Sequence, residues 1–215
     1  MNLDELELKL EGYVPFTPVN IVSRHLNKDA RDILDLGCGK GDPMLFLNKE
    51  RKYYVMGAEI FPEYIKICEK KMSHDVVIEY DLKELEHFAM KFDIVLGLRI
   101  LEHFTKEDGI RILDNMERIA NKQVIITTPI EQFKQSAYDD NNFQEHKYIW
   151  SPEELKARGY KIYLNGIKGF QFDSATITKR QKIVSYFGHV LWSISGFIVF
   201  FIPSMAANMV AVKDL

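Results

Sequence analysis

Short apolar runs rich in β-branched residues alternate with helical patterns along this chain of 215 residues. Runs of this length, bounded by polar residues and glycine, are typical of buried strands. Seven segments qualify: RDILDL (31–36), YYVMGAEI (53–60), VVIEY (76–80), FDIVLGL (92–98), QVIITT (123–128), YKIYL (160–164) and NMVAV (208–212). Because helical patterns separate the first five, the segments predict a mostly parallel, doubly wound α/β sheet.

Capping residues predict where the helices begin. Asp42-Pro43 opens a helix after the first strand and Pro62 opens another after the second, since proline is favoured in a first helical turn. Thr105 and Ser151 are each followed three residues later by an acid, and Ser151 with its acid forms a capping-box pattern. Two further helices are therefore expected after these residues.

The segment between strands six and seven, about 40 residues, is too long for an ordinary connection. Its polar first half and apolar second half predict a loop and then a helix over 179–201, ended by Pro203. The apolar run 190–202 has 13 residues, fewer than the roughly 20 of a membrane-spanning helix. We interpret it as a buried lid or a homodimer face, with peripheral membrane contact as the alternative.

The chain is accordingly predicted to be a single domain with four parts. These are an N-terminal helical segment (1–30), a core (31–164), a helical insertion or lid (165–206) and a final strand (207–215). The acidic start, MNLDELELKLEG, is unlike a signal peptide. Two cysteines, Cys38 and Cys68, show no disulfide or metal-ligand spacing. We therefore expect a cytoplasmic protein, with membrane association as an alternative.

Net charge narrows the class of partners. A formal charge of −3 gives no electrostatic reason for non-specific binding to nucleic acid, and basic residues do not alternate with aromatic ones as in single-strand binders. No nucleic-acid partner is expected.

The stretch DILDLGCGKGD (32–42) carries the clearest chemical signal. Gly37, Gly39 and Gly41 follow a buried strand, where they allow a tight turn and let a ligand lie against the backbone. Their spacing differs from the G-x-G-x-x-G of dinucleotide binders and lacks the Lys-Ser/Thr of a phosphate loop. The flanking Asp35 and Asp42 would repel a pyrophosphate, but they suit a ligand with an ammonium group and hydroxyls.

Acids end the next two strands. Glu59 ends strand two, where a carboxylate can accept hydrogen bonds from both hydroxyls of a ribose. Asp81 follows strand three, where it suits an adenine amino group, although capping the next helix explains it equally well. The residues at the ends of the first three strands all suit the same ligand, so together they predict one crevice for a nucleoside-containing ligand.

These motifs resemble those of the class I, Rossmann-like S-adenosylmethionine-dependent methyltransferases, in particular the type 11 / type 12 small-molecule subgroup. The glycine-rich stretch resembles the first motif of that family, and Glu59, Asp81 and FDIVLGLRILEHF (92–104) fall where its later motifs belong. The resemblance implies a seven-stranded sheet with the last strand antiparallel between strands five and six. It also implies that S-adenosylmethionine lies over the ends of strands one to four.

The resemblance assigns roles by position. Asp35 and Gly37 would serve the methionine end, Glu59 the ribose, Asp81 the adenine, and the backbone of Leu98 or Arg99 the amino group. The full implied cofactor set is Asp35, Gly37, Gly39, Gly41, Glu59, Ile60, Asp81, Leu82, Leu98 and Arg99.

Methyl transfer needs a general base only if the acceptor atom carries a proton. His103 after strand four is the leading candidate and His146 after strand five the second; holding a loop is an equal alternative for His103 and the favoured role of His146. Some enzymes of this fold hold a metal with Glu-x-x-Glu-His and another histidine. Here Arg99 replaces the first carboxylate of that motif, so no metal is predicted.

The loop after strand five frames the acceptor in the resembling subgroup. Its aromatic residues suit a planar or sugar ring, although packing is the preferred role of Trp150; the set is Phe133, Tyr138, Phe143, Tyr148 and Trp150. The sequence therefore predicts methyl transfer to a small-molecule, glycan or lipid-linked acceptor, at oxygen.

Two rival functions stay open. A nicotinamide-dependent oxidoreductase would use the same sheet, but the glycine spacing and the absence of a Tyr-x-x-x-Lys pair count against it. A non-catalytic scaffold that binds S-adenosylmethionine would be favoured if 190–202 blocked the acceptor site.

Overall fold

Seven strands form one sheet in the computed structural model, which describes residues 14–131, 142–168, 198–199 and 201–215. The strands are β1 (Asp32–Leu36), β2 (Tyr54–Glu59), β3 (Val76–Glu79), β4 (Phe92–Leu98), β5 (Ala120–Pro129), β6 (Lys161–Ile167) and β7 (Ala206–Asp214). Their order across the sheet is β3-β2-β1-β4-β5-β7-β6. All seven predicted strands are confirmed.

The direction of each strand follows the expectation. β1 to β5 pair in parallel, whereas β7 runs antiparallel between β5 and β6. β6 continues past the predicted Leu164 to Ile167, which pairs with Ala206. The apolar pattern stops at Asn165 and Gly166, but the strand continues because its residues still pair with β7. Asn165 lies opposite Asn208 and is fully buried.

Five helices lie wholly within the described residues, and the last four begin where the caps predict. They are α1 (Pro18–His25), α2 (Asp42–Leu47), α3 (Pro62–Lys71), α4 (Lys106–Ile119) and α5 (Pro152–Ala157). The Thr105 hydroxyl accepts a hydrogen bond from the Asp108 backbone, and Ser151 and Glu154 complete a capping box. Short 3-10 turns cover Leu82–His87, Leu101–His103, Asn142–Gln144 and Pro203–Met205.

Two apolar clusters lie on opposite faces of the sheet, because successive strand residues point to opposite sides. Leu34 and Val95 belong to one cluster, which α4 covers, while Ile33 and Ile94 belong to the other, which α1 covers. Trp150 joins the first cluster and is 1% exposed. Its preferred role in packing is confirmed.

Several sequence expectations fall outside the described residues. They concern most of the helix over 179–201, most of the apolar run 190–202, residues 1–13 of the N-terminal segment, and the aromatic residues Phe133 and Tyr138. Within the part of the chain that the structure describes, we find no helix with the length and apolar character needed to cross a membrane.

Glu154 is expected to make stability depend on pH. Burial raises the pKa of this carboxyl, but hydrogen bonds from Lys106, the Ser151 backbone and Tyr148 lower it to about 2. Since this value lies below the ordinary 4.5, the stabilisation is complete above pH 4.5 and is lost as pH falls towards 2. In urea denaturation, Glu154→Gln should be less stable than wild type at neutral pH, and the difference should shrink through this window.

Glu153→Gln is the matched control for this prediction. Glu153 is the neighbouring acid in the same helix, but its side chain is 77% exposed and lies 4.0 Å from Lys156. An exposed pair of this kind contributes little to stability, so the control should follow wild type at every pH. A difference between wild type and Glu154→Gln that stays constant down to acid pH would contradict the prediction.

Candidate active site

The glycine-rich turn follows β1 at the carboxyl edge of the sheet. Gly37, Gly39 and Gly41 have φ values of 63°, 54° and 77°, a left-handed conformation that favours glycine. A β-carbon at Gly37 would clash with Ile100, and one at Gly41 would lie 2.8 Å from Sγ of Cys68. A β-carbon at Gly39 would meet no atom within 4 Å. Gly39 therefore faces open space, as a residue against a bound ligand would.

Glu59, at the end of β2, is tied to this turn. Its Oε2 accepts a hydrogen bond from the Gly39 backbone at 2.8 Å, and its Oε1 accepts from Ile60 and Phe61, each at 2.9 Å. A carboxylate offers about four acceptor positions, so one stays available for a ribose hydroxyl. Capture of both ribose hydroxyls would require one of these backbone bonds to open.

Asp35 lies in β1 and points into a buried polar cluster. Asp35 is only 2% exposed, and its Oδ2 lies 3.1 Å from Nε2 of His74. Burial lowers the pKa of His74, but hydrogen bonds to Asp35 and to the Cys68 thiol raise it to about 9. No local pattern in the sequence marks this histidine as a partner of Asp35, so it was not predicted.

The ends of β3 and β1 meet beside the same turn. Asp81 is half-buried and its Oδ1 accepts from the Lys83 backbone at 2.9 Å, so its capping role is confirmed. The buried Leu82 approaches the glycine turn, since its Cδ1 would lie 3.9 Å from a β-carbon at Gly37. The residue that follows Asp81 therefore lies beside the glycine-rich turn.

The turn after β4 adopts an unusual conformation. Arg99 has a φ of 62°, which is uncommon for a residue other than glycine and is often found at functional sites. Its backbone N–H donates to Thr127 of β5 at 2.9 Å, so its carbonyl and that of Leu98 are the backbone groups suited to a cofactor ammonium. The guanidinium donates to Asn208 at 3.1 Å.

Glu102, His103 and His146 come together beside this turn. Glu102 is fully buried, and its Oε1 lies 3.0 Å from Nε of Arg99. No described residue donates a hydrogen bond of good geometry to either carboxylate oxygen. The rings of His103 and His146 lie edge to face with centroids 5.1 Å apart. One ligand atom from each of the three side chains lies within 4.8 Å of the others.

The backbone explains this convergence. Lys147 and Tyr148 donate to the Glu102 carbonyl at 2.7 and 3.3 Å, which docks the loop after β5 onto the turn after β4. Nδ1 of His103 lies 3.2 Å from the Glu145 carbonyl. Because a carbonyl only accepts, this contact places the proton on Nδ1 and leaves Nε2 as the basic nitrogen.

The aromatic residues of this loop divide into two groups. Phe143 is 52% exposed, whereas Trp150 packs beneath α4 against Gly109. The hydroxyl of Tyr148 donates to Glu154 at 2.8 Å, and its ring packs edge to face against Trp150. Of the described aromatic residues predicted for the acceptor surface, Phe143 alone is exposed.

The fold and the site together define a class of protein. A sheet of this strand order, with an antiparallel β7 and a glycine-rich turn after β1, is the class I methyltransferase fold. Solved methyltransferase structures match nearly the whole chain. One, magnesium protoporphyrin IX methyltransferase from Synechocystis with bound S-adenosylhomocysteine, has a TM-score of 0.57 at 14% identity and covers 100% of this chain and 88% of its own.

Sequence comparison finds similarity to methyltransferases. Residues 33–123 match the family model described as a methyltransferase domain. Ajmaline N-methyltransferase from Rauvolfia serpentina is 31% identical over 102 residues, which are 43% of this chain and 33% of that protein. The tRNA U34 carboxymethyltransferase from Nautilia profundicola is 26% identical over 151 residues, 66% of this chain and 49% of that protein.

Residues 33–123 match a methyltransferase domain and the fold is that of the class I methyltransferases, and both support the resemblance to the S-adenosylmethionine-dependent enzymes of the type 11 / type 12 kind. The resemblance drawn from the glycine-rich segment is confirmed. The chain spans half or less of the length of these two curated relatives.

Proposed function

We propose that this protein transfers a methyl group from S-adenosylmethionine to an oxygen atom of a small-molecule, glycan or lipid-linked acceptor. The cofactor supplies a methyl group already activated by its sulfonium, so the protein must mainly align the acceptor and exclude water. The chain's own residues then have three tasks, which are to hold the cofactor, to hold the acceptor and to remove a proton.

The residues at the carboxyl edge of the sheet fit the cofactor. Gly39 faces open space, and Glu59 keeps one acceptor position beside it. Oδ1 of Asp81 caps the following turn, which leaves Oδ2 for an adenine amino group. The carbonyls of Leu98 and Arg99 suit the ammonium group. The half-buried Ile60 and the buried Leu82 supply apolar surface between these polar groups.

The observation that carries the choice of oxygen is the arrangement of His103. Its Nδ1 is held by the Glu145 carbonyl, so Nε2 is free to accept a proton. His146 lies beside it and the buried Glu102 carboxylate lies close to both. A base of this kind assists a hydroxyl acceptor, whereas a thioether or tertiary amine has no proton to lose.

The acceptor class rests on the surroundings of this base. Phe143 offers an exposed ring on the neighbouring loop, and the net charge of −3 does not favour a polyanionic acceptor. One curated relative bears the name of an enzyme acting on a small molecule and another the name of an enzyme acting on tRNA. The acceptor class must therefore be tested against tRNA directly.

A label-transfer assay tests the proposal. The purified chain is incubated with methyl-labelled S-adenosylmethionine and separate pools of hydroxylated small molecules, glycans, lipid-linked glycans and tRNA. We expect label in one of the first three pools, in an ether or ester that survives isolation. Label in tRNA alone would contradict the acceptor class. Tight cofactor binding without transfer to any pool would favour the non-catalytic scaffold.

A further inference from the structure

A second cluster of metal-ligand side chains lies behind the glycine-rich turn. Cys38 belongs to the turn, Cys68 to α3, and His74 to the loop before β3, and all three are buried. One ligand atom from each lies within 4.8 Å of the others, and Sγ of Cys68 is 3.2 Å from Nδ1 of His74. Both cysteines are free thiols in this structure.

His74 is oriented as a metal-ligating histidine usually is. Its Nε2 is bonded to the Asp35 carboxylate at 3.1 Å, which leaves Nδ1 directed at the thiol of Cys68. Histidine ligands of metals almost always donate their other ring N–H to a carboxylate, carbonyl or water. The Ser73 hydroxyl lies 2.9 Å from the same Nδ1 and adds an oxygen donor to the cluster.

Two glycines leave room for these side chains. A β-carbon at Gly57 would lie 2.8 Å from Sγ of Cys38 and 3.0 Å from Cδ2 of His74. A β-carbon at Gly41 would lie 2.8 Å from Sγ of Cys68 and would clash with the Ser73 hydroxyl. The backbone at Gly41 and at Gly57 therefore packs closely against these sulfur and nitrogen donors.

We propose that Cys38, Cys68 and His74 bind a thiophilic divalent cation, Zn²⁺, with the Ser73 hydroxyl or a water molecule at the fourth position. Tetrahedral zinc with bonds of about 2.3 Å to sulfur and about 2.0–2.1 Å to nitrogen places its donors roughly 3.4–3.8 Å apart. Sγ of Cys68 and Nδ1 of His74 lie 3.2 Å apart, just below this range, and all three ligand atoms lie within 4.8 Å of one another, so side-chain shifts of about 1 Å would bring them to it. The bound cation displaces the protons of the thiols and of the imidazole.

The metal site would stabilise the glycine-rich turn, which is part of the proposed cofactor site. Cys38 lies between Gly37 and Gly39, so a cation shared with α3 and with the loop before β3 would fix the glycine turn to both. This inference is independent of which acceptor the protein methylates. It also concerns residues other than Glu102, His103 and His146.

Cobalt substitution tests the proposal on the full, reduced chain. Titration with Co²⁺ should give thiolate-to-cobalt charge-transfer absorption and the visible bands of tetrahedral cobalt, saturating at one equivalent and reversed by Zn²⁺. Cys38→Ser and Cys68→Ser should each weaken binding at least a hundredfold. Asp35→Asn should weaken it about tenfold to a hundredfold, the usual effect of losing a partner of a ligating histidine. Circular dichroism checks that each variant is folded.

His103→Gln is the matched control, because it alters the other candidate cluster, which contains no thiol. It should leave the charge-transfer band unchanged. The cadmium NMR shift of the wild-type protein needs no variant and should lie downfield, as two thiolate ligands require. The absence of charge-transfer absorption, a cadmium shift typical of nitrogen and oxygen ligands, or equal Co²⁺ affinity in a folded cysteine variant would each overturn the proposal.

Discussion

Replacing Gly39 with alanine is expected to weaken binding of S-adenosylmethionine about a hundredfold or more while the protein stays folded. The new methyl group would meet no protein atom within 4 Å, so it would project into the space assigned to the cofactor. The left-handed φ of 54° costs an alanine about 1–2 kcal/mol of stability. Each 1.4 kcal/mol or so of steric cost to the ligand weakens its affinity tenfold. Calorimetric titration with the cofactor and with S-adenosylhomocysteine measures the loss.

Gly37→Ala is the matched control, since Gly37 has nearly the same backbone strain at a φ of 63°. Its new methyl group would clash with Ile100 inside the protein, which adds about 1–3 kcal/mol of overpacking. We therefore expect Gly37→Ala to lower the melting temperature more than Gly39→Ala does. Wild-type cofactor affinity in a folded Gly39→Ala variant would remove the glycine turn from the proposed binding site.

Glu59→Ala is a less specific probe of the same site. The Glu59 carboxylate accepts three backbone hydrogen bonds, from Gly39, Ile60 and Phe61, so its removal disturbs the turn as well as the ribose contact. Loss of binding in that variant would not separate the two effects. Gly39→Ala adds a methyl group without removing any of these hydrogen bonds. It therefore tests only whether the cofactor occupies the space beside Gly39.

The sheet and its ligand-facing edge were predictable from local patterns. Apolar runs such as those ending at Asp35 and Glu59 specify strands, and parallel strands necessarily bring their carboxyl ends to one edge. The glycine turn and the caps at Thr105 and Ser151 depend on interactions within a few residues, which a sequence displays directly. These are the features that the structure confirms.

The side-chain clusters were not predictable in the same way. His103 and His146 meet because Lys147 and Tyr148 donate to the Glu102 carbonyl, a contact between loops far apart in sequence. The cluster of Cys38, Cys68 and His74 likewise depends on how α3 packs against β2 and β3. A cysteine in a turn and another in a helix carry no spacing signal, so their convergence follows only from tertiary packing.

The strained turn at Arg99 connects the predicted cofactor site with the cluster that contains Glu102. Its backbone lies beside the predicted ammonium site, while its side chain contacts the buried Glu102 and Asn208 of β7. The arginine that replaces the first carboxylate of the metal-binding motif thus neutralises the buried acid. This ion pair is consistent with the expectation of a metal-free acceptor site, which stays a prediction.

His103→Gln is expected to lower kcat for methyl transfer about a hundredfold to ten-thousandfold, the usual contribution of a general base. Glutamine is polar and similar in size, but its amide has no basic nitrogen that could accept a proton in place of Nε2. Affinity for S-adenosylmethionine should stay unchanged, because no predicted cofactor contact involves His103. Single-turnover rates with the acceptor identified by label transfer measure the effect.

His146→Gln separates the two histidines in this assay. If His103 is the base, the His146 variant should lose less activity, since its role would be to support the neighbouring ring at 5.1 Å. Equal single-turnover rates in wild type and His103→Gln would exclude His103 as the base. If the His146 variant then showed the large loss, the second candidate would replace the first. If neither variant lost activity, the acceptor atom would need no proton removed by this pair, and the argument for oxygen from these histidines would fail.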